Sequence, residues 1–248
     1  MSVLPGAEPF SHDGSRVGVV LSHGFTGSPR SMRPWAEHLA TAGYTVRLPR
    51  LPGHGTTWQE LNRTRWQDWY ATVDGAFREL HERCDTVFVA GLSMGGTLVT
   101  RLAQEHGPRV AGLVLVNPAY KVDDLRLKAL PLLQAVVPSI AAIGNDIKKP
   151  GQQEGAYDRT PLKALHSQTQ LWAEVVRDLP EVTQPVLLIH SADDHVVPVS
   201  SSELLLARVS STDVTEIVLH DSYHVATLDN DAPRIFEESV AFIERLSG

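Results

Sequence analysis

Apolar residues in this chain fall into short runs separated by longer amphipathic stretches. Val17 to Ser22 (VGVVLS), Thr86 to Ala90 (TVFVA), Val110 to Val116 (VAGLVLV) and Pro185 to His190 (PVLLIH) are apolar at successive positions. Both faces of such a strand are buried, as in the middle of a parallel sheet. Tyr44 to Leu51 and Val214 to Leu219 read as further strands. Between them, Ser31 to Ala42 repeats its apolar side at Trp35, Leu39 and Ala42, with Ser31 as a cap and Gly43 as the stop. Trp66 to His81, Met94 to His106, Ser200 to Arg208 and Ala232 to Leu246 have the same helical period. Strand and helix in alternation predict an α/β fold, a mostly parallel sheet with right-handed crossovers and helices on both faces.

The alternation is interrupted once, between about 119 and 179. Within that span are Leu125 to Val137, Ser139 to Ile143, a polar stretch Gly144 to Thr160 and a helical pattern from Ser167 to Arg177. An insertion of this size between sheet strands predicts a small cap over the active-site edge, with ordinary covering helices as the alternative. No linker or repeat divides the chain, so 1–248 reads as one domain carrying that cap.

The strand from Thr86 breaks into Gly91-Leu92-Ser93-Met94-Gly95. Gly-x-Ser-x-Gly between a strand and a helix is a nucleophile elbow, where the turn lifts the serine hydroxyl above the sheet edge. Small residues two before and two after leave room for that strained turn. A serine hydroxyl is a weak nucleophile at neutral pH and needs a histidine to take its proton and a carboxylate to hold the histidine.

Both partners are expected at strand ends on the same edge. Pro185 to His190 runs into Asp193-Asp194-His195-Val196-Val197-Pro198, and Val214 to Leu219 into His220-Asp221-Ser222-Tyr223-His224. Asp194 is preferred to Asp193, and His224 to His220, because each stands further beyond its strand. The remaining histidines, among them His12, His38, His81, His106 and His166, read as solvated groups. The backbone amides of Phe25, in the turn His23-Gly24-Phe25-Thr26-Gly27, and of Met94 are the expected oxyanion donors. His23 itself reads as a shaper of that turn.

Composition narrows the picture by exclusion. A formal charge of -7 without a Lys/Arg cluster argues against a nucleic-acid partner. No glycine loop matches a dinucleotide or nucleotide-phosphate motif, so no cofactor is expected. His190, Asp193, Asp194 and His195 lie close in sequence, but strand alternation separates them and no metal is expected. Residues 1–15 lack a basic start followed by an apolar core, and no apolar run approaches the roughly 18 residues of a membrane span, so a cytoplasmic protein is expected.

Taken together, these motifs resemble the α/β-hydrolases, and within them the bacterial monoacylglycerol lipases and the related small thermostable carboxylesterases. His23 to Gly27, Leu51-Pro52-Gly53-His54-Gly55-Thr56, Gly91 to Thr97, Asp194 to Pro198 and Ser222-Tyr223-His224-Val225-Ala226-Thr227-Leu228-Asp229 carry the likeness. It implies an ester hydrolase with a short cap, acting on monoacylglycerols or similar single-chain lipid esters. It also implies Ser93, Asp194 and His224 as the triad, and Phe25 and Met94 as oxyanion donors. Within the cap, Ile143 and Glu154 are implied as substrate-binding residues. On this reading Leu125 to Ile143 lines an acyl tunnel and Glu154 accepts hydroxyls of the glycerol. A solvated acidic loop is the bland reading of Glu154. A carboxylesterase or thioesterase without glycerol selectivity, or a non-catalytic binding protein on the same fold, are the alternatives. Leu130-Pro131-Leu132-Leu133 fits transient contact with a lipid surface and equally ordinary packing.

Overall fold

The computed structural model describes residues 2–142 and 144–248, and the backbone alone at Leu125 and Arg126. Its strands are β1 (Phe10–His12), β2 (Val17–Ser22), β3 (Thr45–Leu48), β4 (Thr86–Leu92), β5 (Leu113–Val116), β6 (Ser139–Ala141), β7 (Arg159–Pro161), β8 (Val186–Ser191) and β9 (Val214–Leu219). Its helices are α1 (Arg33–Thr41), α2 (Trp58–Leu61), α3 (Trp66–Arg83), α4 (Met94–His106), α5 (Leu130–Val136), α6 (Leu162–Arg177), α7 (Ser200–Arg208) and α8 (Ala232–Ser247). Seven strands form one sheet in the order β1-β3-β2-β4-β5-β8-β9, parallel except for β1, while β6 and β7 pair as a separate antiparallel ribbon.

Strand residues divide by alternation into two cores. Val20, Val87, Val89 and Leu115 point to the side of α3, α4, α6 and α7, where Trp69, Phe77, Leu98, Leu171 and Leu205 meet them. Val19, Leu21, Phe88 and Val114 point to the side of α1 and α8, against Trp35, Leu39, Ile235 and Phe242. Helix, sheet and helix therefore make three layers, and the doubly apolar runs follow from burial on both faces.

Several boundaries differ from the sequence expectation. Ser31 does not cap α1: a short 3-10 turn, Pro29–Ser31, precedes the helix, and Ser28 caps that turn instead. β1 joins as an antiparallel edge, a strand too short to show a period. The expected strand from Val110 begins only at Leu113, because Gly107–Arg109 forms a 3-10 turn first. His106 is not solvated, since its side chain is buried and donates to Asp74 at 2.6 Å. His38 and His166 are half-buried.

The segment between β5 and β8 holds α5, the β6–β7 ribbon and α6. Among the described residues no helix is long and apolar enough to cross a membrane.

Candidate active site

β4 delivers Ser93 at its carboxyl end with φ 55° and ψ −120°, a backbone state that L-residues avoid and tight packing must impose. Both flanking glycines are needed for space. A Cβ on Gly91 would meet the backbone of Gly95, and one on Gly95 would meet the backbone of Ser22 at the end of β2. The Ser93 amide donates to Val116 O at 3.0 Å and its carbonyl accepts from Ala119 N at 3.2 Å, so the turn is held from β5.

β8 and β9 end on the same edge and bring their loops together. His224 Nδ1 donates to Asp194 Oδ2 at 2.7 Å, and both side chains are buried. Asp194 Oδ1 accepts the amides of Val196 (2.8 Å) and Val197 (2.7 Å), which fixes the carboxylate in its loop. Burial pulls the His224 pKa down, but Asp194 and then Glu154 and Asp146 outweigh it and leave the imidazole above its ordinary range. Asp193 and His220 are exposed and stand apart from this pair.

The turn after β2 closes the other side. Gly24 lies so near Ser93 that a Cβ there would sit 3.3 Å from the serine Cβ. His23 Nδ1 donates to Gly24 O at 3.0 Å, and His23 Nε2 accepts from Leu51 N at 3.2 Å. The ring thus pins the turn to the loop after β3. Burial holds its pKa down to about 4, which keeps the neutral tautomer those two bonds require. His54 lies edge-on to the His23 ring, and Phe25 and Trp69 lie edge-on to His54. Among the described residues no protein acceptor is assigned to the Phe25 or Met94 amide.

A cleft of about 250 Å³ joins these parts. Ser93 and His224 line it with Phe25, and so does Glu154, only 8% exposed. Burial pushes the Glu154 pKa up to about 7, with His224 lowering it in part. The solvated reading of Glu154 is therefore wrong. Leu127, Ile140, Leu165, Trp172 and Val197 make an apolar wall. α5 contributes less to it than the sequence reading expected: Leu132 and Val136 are 80% and 79% exposed and face away. Ile143 lies outside the described residues.

Comparison with known proteins places the chain. The family model described as serine aminopeptidase, S33 (Hydrolase_4) matches residues 14–231. The chain belongs to this hydrolase family. It is 45% identical over 247 residues to the thermostable monoacylglycerol lipase of Bacillus sp. (strain H-257), covering 99% of this chain and 98% of that one. A carboxylesterase of Bacillus subtilis (strain 168) is 24% identical over 240 residues, 96% of this chain and 97% of the other. Among solved structures, one from work on two metagenome-derived lipolytic enzymes superposes with a TM-score of 0.95 at 46% identity, covering 98% of this chain and all of that one. The monoacylglycerol lipase of Paleococcus ferrophilus superposes at 0.82 over the whole of both chains; at 20% identity it speaks for the α/β-hydrolase fold.

In this S33-family hydrolase three further polar residues support the site, and the sequence reading gave none of them a role. Asn117, at φ 42° after β5, donates Nδ2 to His224 O at 2.7 Å and accepts Ser191 N at Oδ1 at 2.7 Å. Asp229, fully buried, accepts the amides of Lys148, Lys149 and Tyr223 at 2.7, 2.8 and 2.9 Å. Asp146 accepts the His224 amide at 3.0 Å. An Asn directly after a buried strand, tolerant of positive φ, was the one signal the sequence offered.

Proposed function

We propose that this serine hydrolase cleaves monoacylglycerols to fatty acid and glycerol through an acyl-enzyme at Ser93. The observation that carries the reading is that Ser93 and the buried carboxyl of Glu154 share one cleft whose remaining wall is apolar. An apolar wall suits a single acyl chain, and a buried carboxyl that titrates near neutrality can accept from and donate to glycerol hydroxyls. The Bacillus sp. relative named as a monoacylglycerol lipase, 45% identical over nearly the whole chain, supports it. About 250 Å³ lies just under the roughly 300–1,000 Å³ of ordinary ligand pockets, which favours one chain over two or three.

Ser93 Oγ attacks the ester carbonyl and its proton passes to His224 Nε2. Asp194 keeps the imidazole in the Nδ1–H tautomer and stabilises the imidazolium that forms. The amides of Phe25 and Met94 bind the oxyanion, each donor worth about 2.7–4 kcal/mol. Collapse expels glycerol, which takes the proton from His224. Water then repeats the attack on the acyl-enzyme, with His224 again as base, and releases the fatty acid. Within this reading the segment 119–179 is the cap, and the exposed Leu132, Leu133, Val136 and Ile140 make its transient contact with a lipid film.

Initial rates on monoacylglycerols of rising chain length, diacylglycerols, p-nitrophenyl esters and acyl-CoA thioesters, with Ser93→Ala as blank, test the proposal. Rates peaking on a medium-chain monoacylglycerol and collapsing on diacylglycerol support it. Within the series each added methylene should contribute about 0.8 kcal/mol until the cleft is full. Best rates on short alkyl esters or thioesters would make it a general esterase, the reading that the Bacillus subtilis relative favours. Rates equal to the blank would leave a binding protein.

A further inference from the structure

Asp146 lies between β6 and β7, in the segment that overhangs the cleft, with its side chain 12% exposed. Its carboxylate reaches both loops that carry the buried pair. Oδ2 accepts the backbone amide of His224 at 3.0 Å and that of His195, next after Asp194, at 3.3 Å. Oδ1 accepts from His195 Nδ1 at 2.8 Å, and the Asp146 carbonyl accepts Val225 N at 3.1 Å. One carboxylate therefore ties the loop of the acid to the loop of the base, in parallel with the direct Asp194–His224 bond.

The segment does not need Asp146 as an anchor. Asp229 already holds the amides of Lys148 and Lys149 while binding Tyr223 N, and Lys148 Nζ pairs with Asp221 at 2.9 Å. Asp146 differs from that staple in where its bonds go, since they end on His224 itself and on the neighbour of Asp194. From this geometry we infer that Asp146 is a positioning residue of the reaction, setting the place of His224 from the overhanging segment and supplying negative charge beside it. The inference rests on the reading of His224 as general base.

Two consequences follow from the chemistry. Loss of the clamp lets His224 shift relative to Ser93, and a misplacement of about 1 Å costs up to roughly 10²-fold in rate. Loss of the charge removes one of the three carboxyls that act on the imidazole, the others being Asp194 in the loop after β8 and Glu154 between β6 and β7. Asp146→Asn should therefore lower kcat roughly 10- to 100-fold with KM nearly unchanged. It should also move the acid limb of the kcat/KM profile to lower pH.

The test measures kcat, KM and the pH profile per active site, counted with a serine-reactive phosphonate, for wild type, Asp146→Asn, Asp146→Glu and Asp229→Asn. Asp146→Glu keeps the charge but displaces it, so its acid limb stays in place while kcat falls. Asp229→Asn, which loosens the staple, lowers the melting temperature and reads how much of any loss in kcat comes from a loosened segment alone. Asp146→Asn with wild-type kcat and an unmoved limb overturns the inference. Should Asp146→Asn fail to fold, wild-type kcat in Asp146→Glu overturns it alone. Ser93→Ala and His224→Ala separate the two levels: if they retain activity, the proposed mechanism itself falls, whatever Asp146 does.

Discussion

A Cβ added to Gly27 would lie 2.5 Å from Glu154 Oε1. The glycine ends the turn that begins at His23, so that turn and the buried carboxyl of the cleft are packed against each other. Gly27 does not have a positive φ, and Gly27→Ala therefore acts through volume alone. The carboxyl is the mobile partner and would swing away. We expect KM for monoacylglycerol to rise several-fold while hydrolysis of p-nitrophenyl acetate is nearly unchanged. Equal losses on both substrates would place the damage at Phe25 rather than at Glu154.

Asp194→Asn keeps an acceptor for the amides of Val196 and Val197 but presents an amide to His224 Nδ1. The imidazole then turns to the wrong tautomer. A loss of about 10³–10⁴ in kcat is expected with the fold intact, read from steady-state rates beside a circular dichroism spectrum.

Glu154 links stability to pH. Its carboxyl moves from an ordinary 4.5 to about 7 on folding, so the folded state favours the protonated form. Stability is fully present below about 4.5 and declines as pH rises through 7, by about 3 kcal/mol at most. Glu154→Gln removes that decline. The variant should melt close to wild type at low pH and several degrees above it in mild alkali, while losing selectivity for monoacylglycerol. Parallel melting curves across pH would contradict the buried carboxyl.

The acid limb of wild-type kcat/KM should lie above the ordinary imidazole value of 6.5. In the proposed mechanism His224 must be neutral to accept the Ser93 proton, and a raised pKa means that neutrality is lost at a higher pH as acid is added. Glu154→Gln removes a neighbouring negative charge and should shift the limb down. A limb at or below 6.5 in wild type would show that burial outweighs the carboxylates.

The scaffold and the buried pair were legible in the sequence because each leaves a local mark. β2, β5 and β8 announce themselves by runs of apolar residues, and Ser93 by glycines whose absence of side chain is a steric necessity. Asp194 and His224 follow from their distance beyond a strand. What supports them leaves a fainter mark or none. Asn117 reaches across 107 residues to His224, and Asp146 across 78, with loop partners that only the folded chain brings near. Glu154 sits in a polar stretch whose composition reads as solvated, and only the family resemblance gave it a role; a side chain at Gly27 would crowd its buried carboxyl. The cap end of α1 failed for a local reason, since Ser28 and Ser31 both suit a cap and a 3-10 turn chose between them.

Ser93 holds φ 55° and ψ −120° only because the sheet and α4 compel it. Such a conformation costs of order 1–3 kcal/mol, which glycine would not incur, although glycine loses more chain entropy on folding, about 0.5–1 kcal/mol. The balance makes Ser93→Gly an inactive protein that melts above its parent. Selection for heat resistance alone, applied to random variants without an activity screen, would therefore replace Ser93 among its first gains.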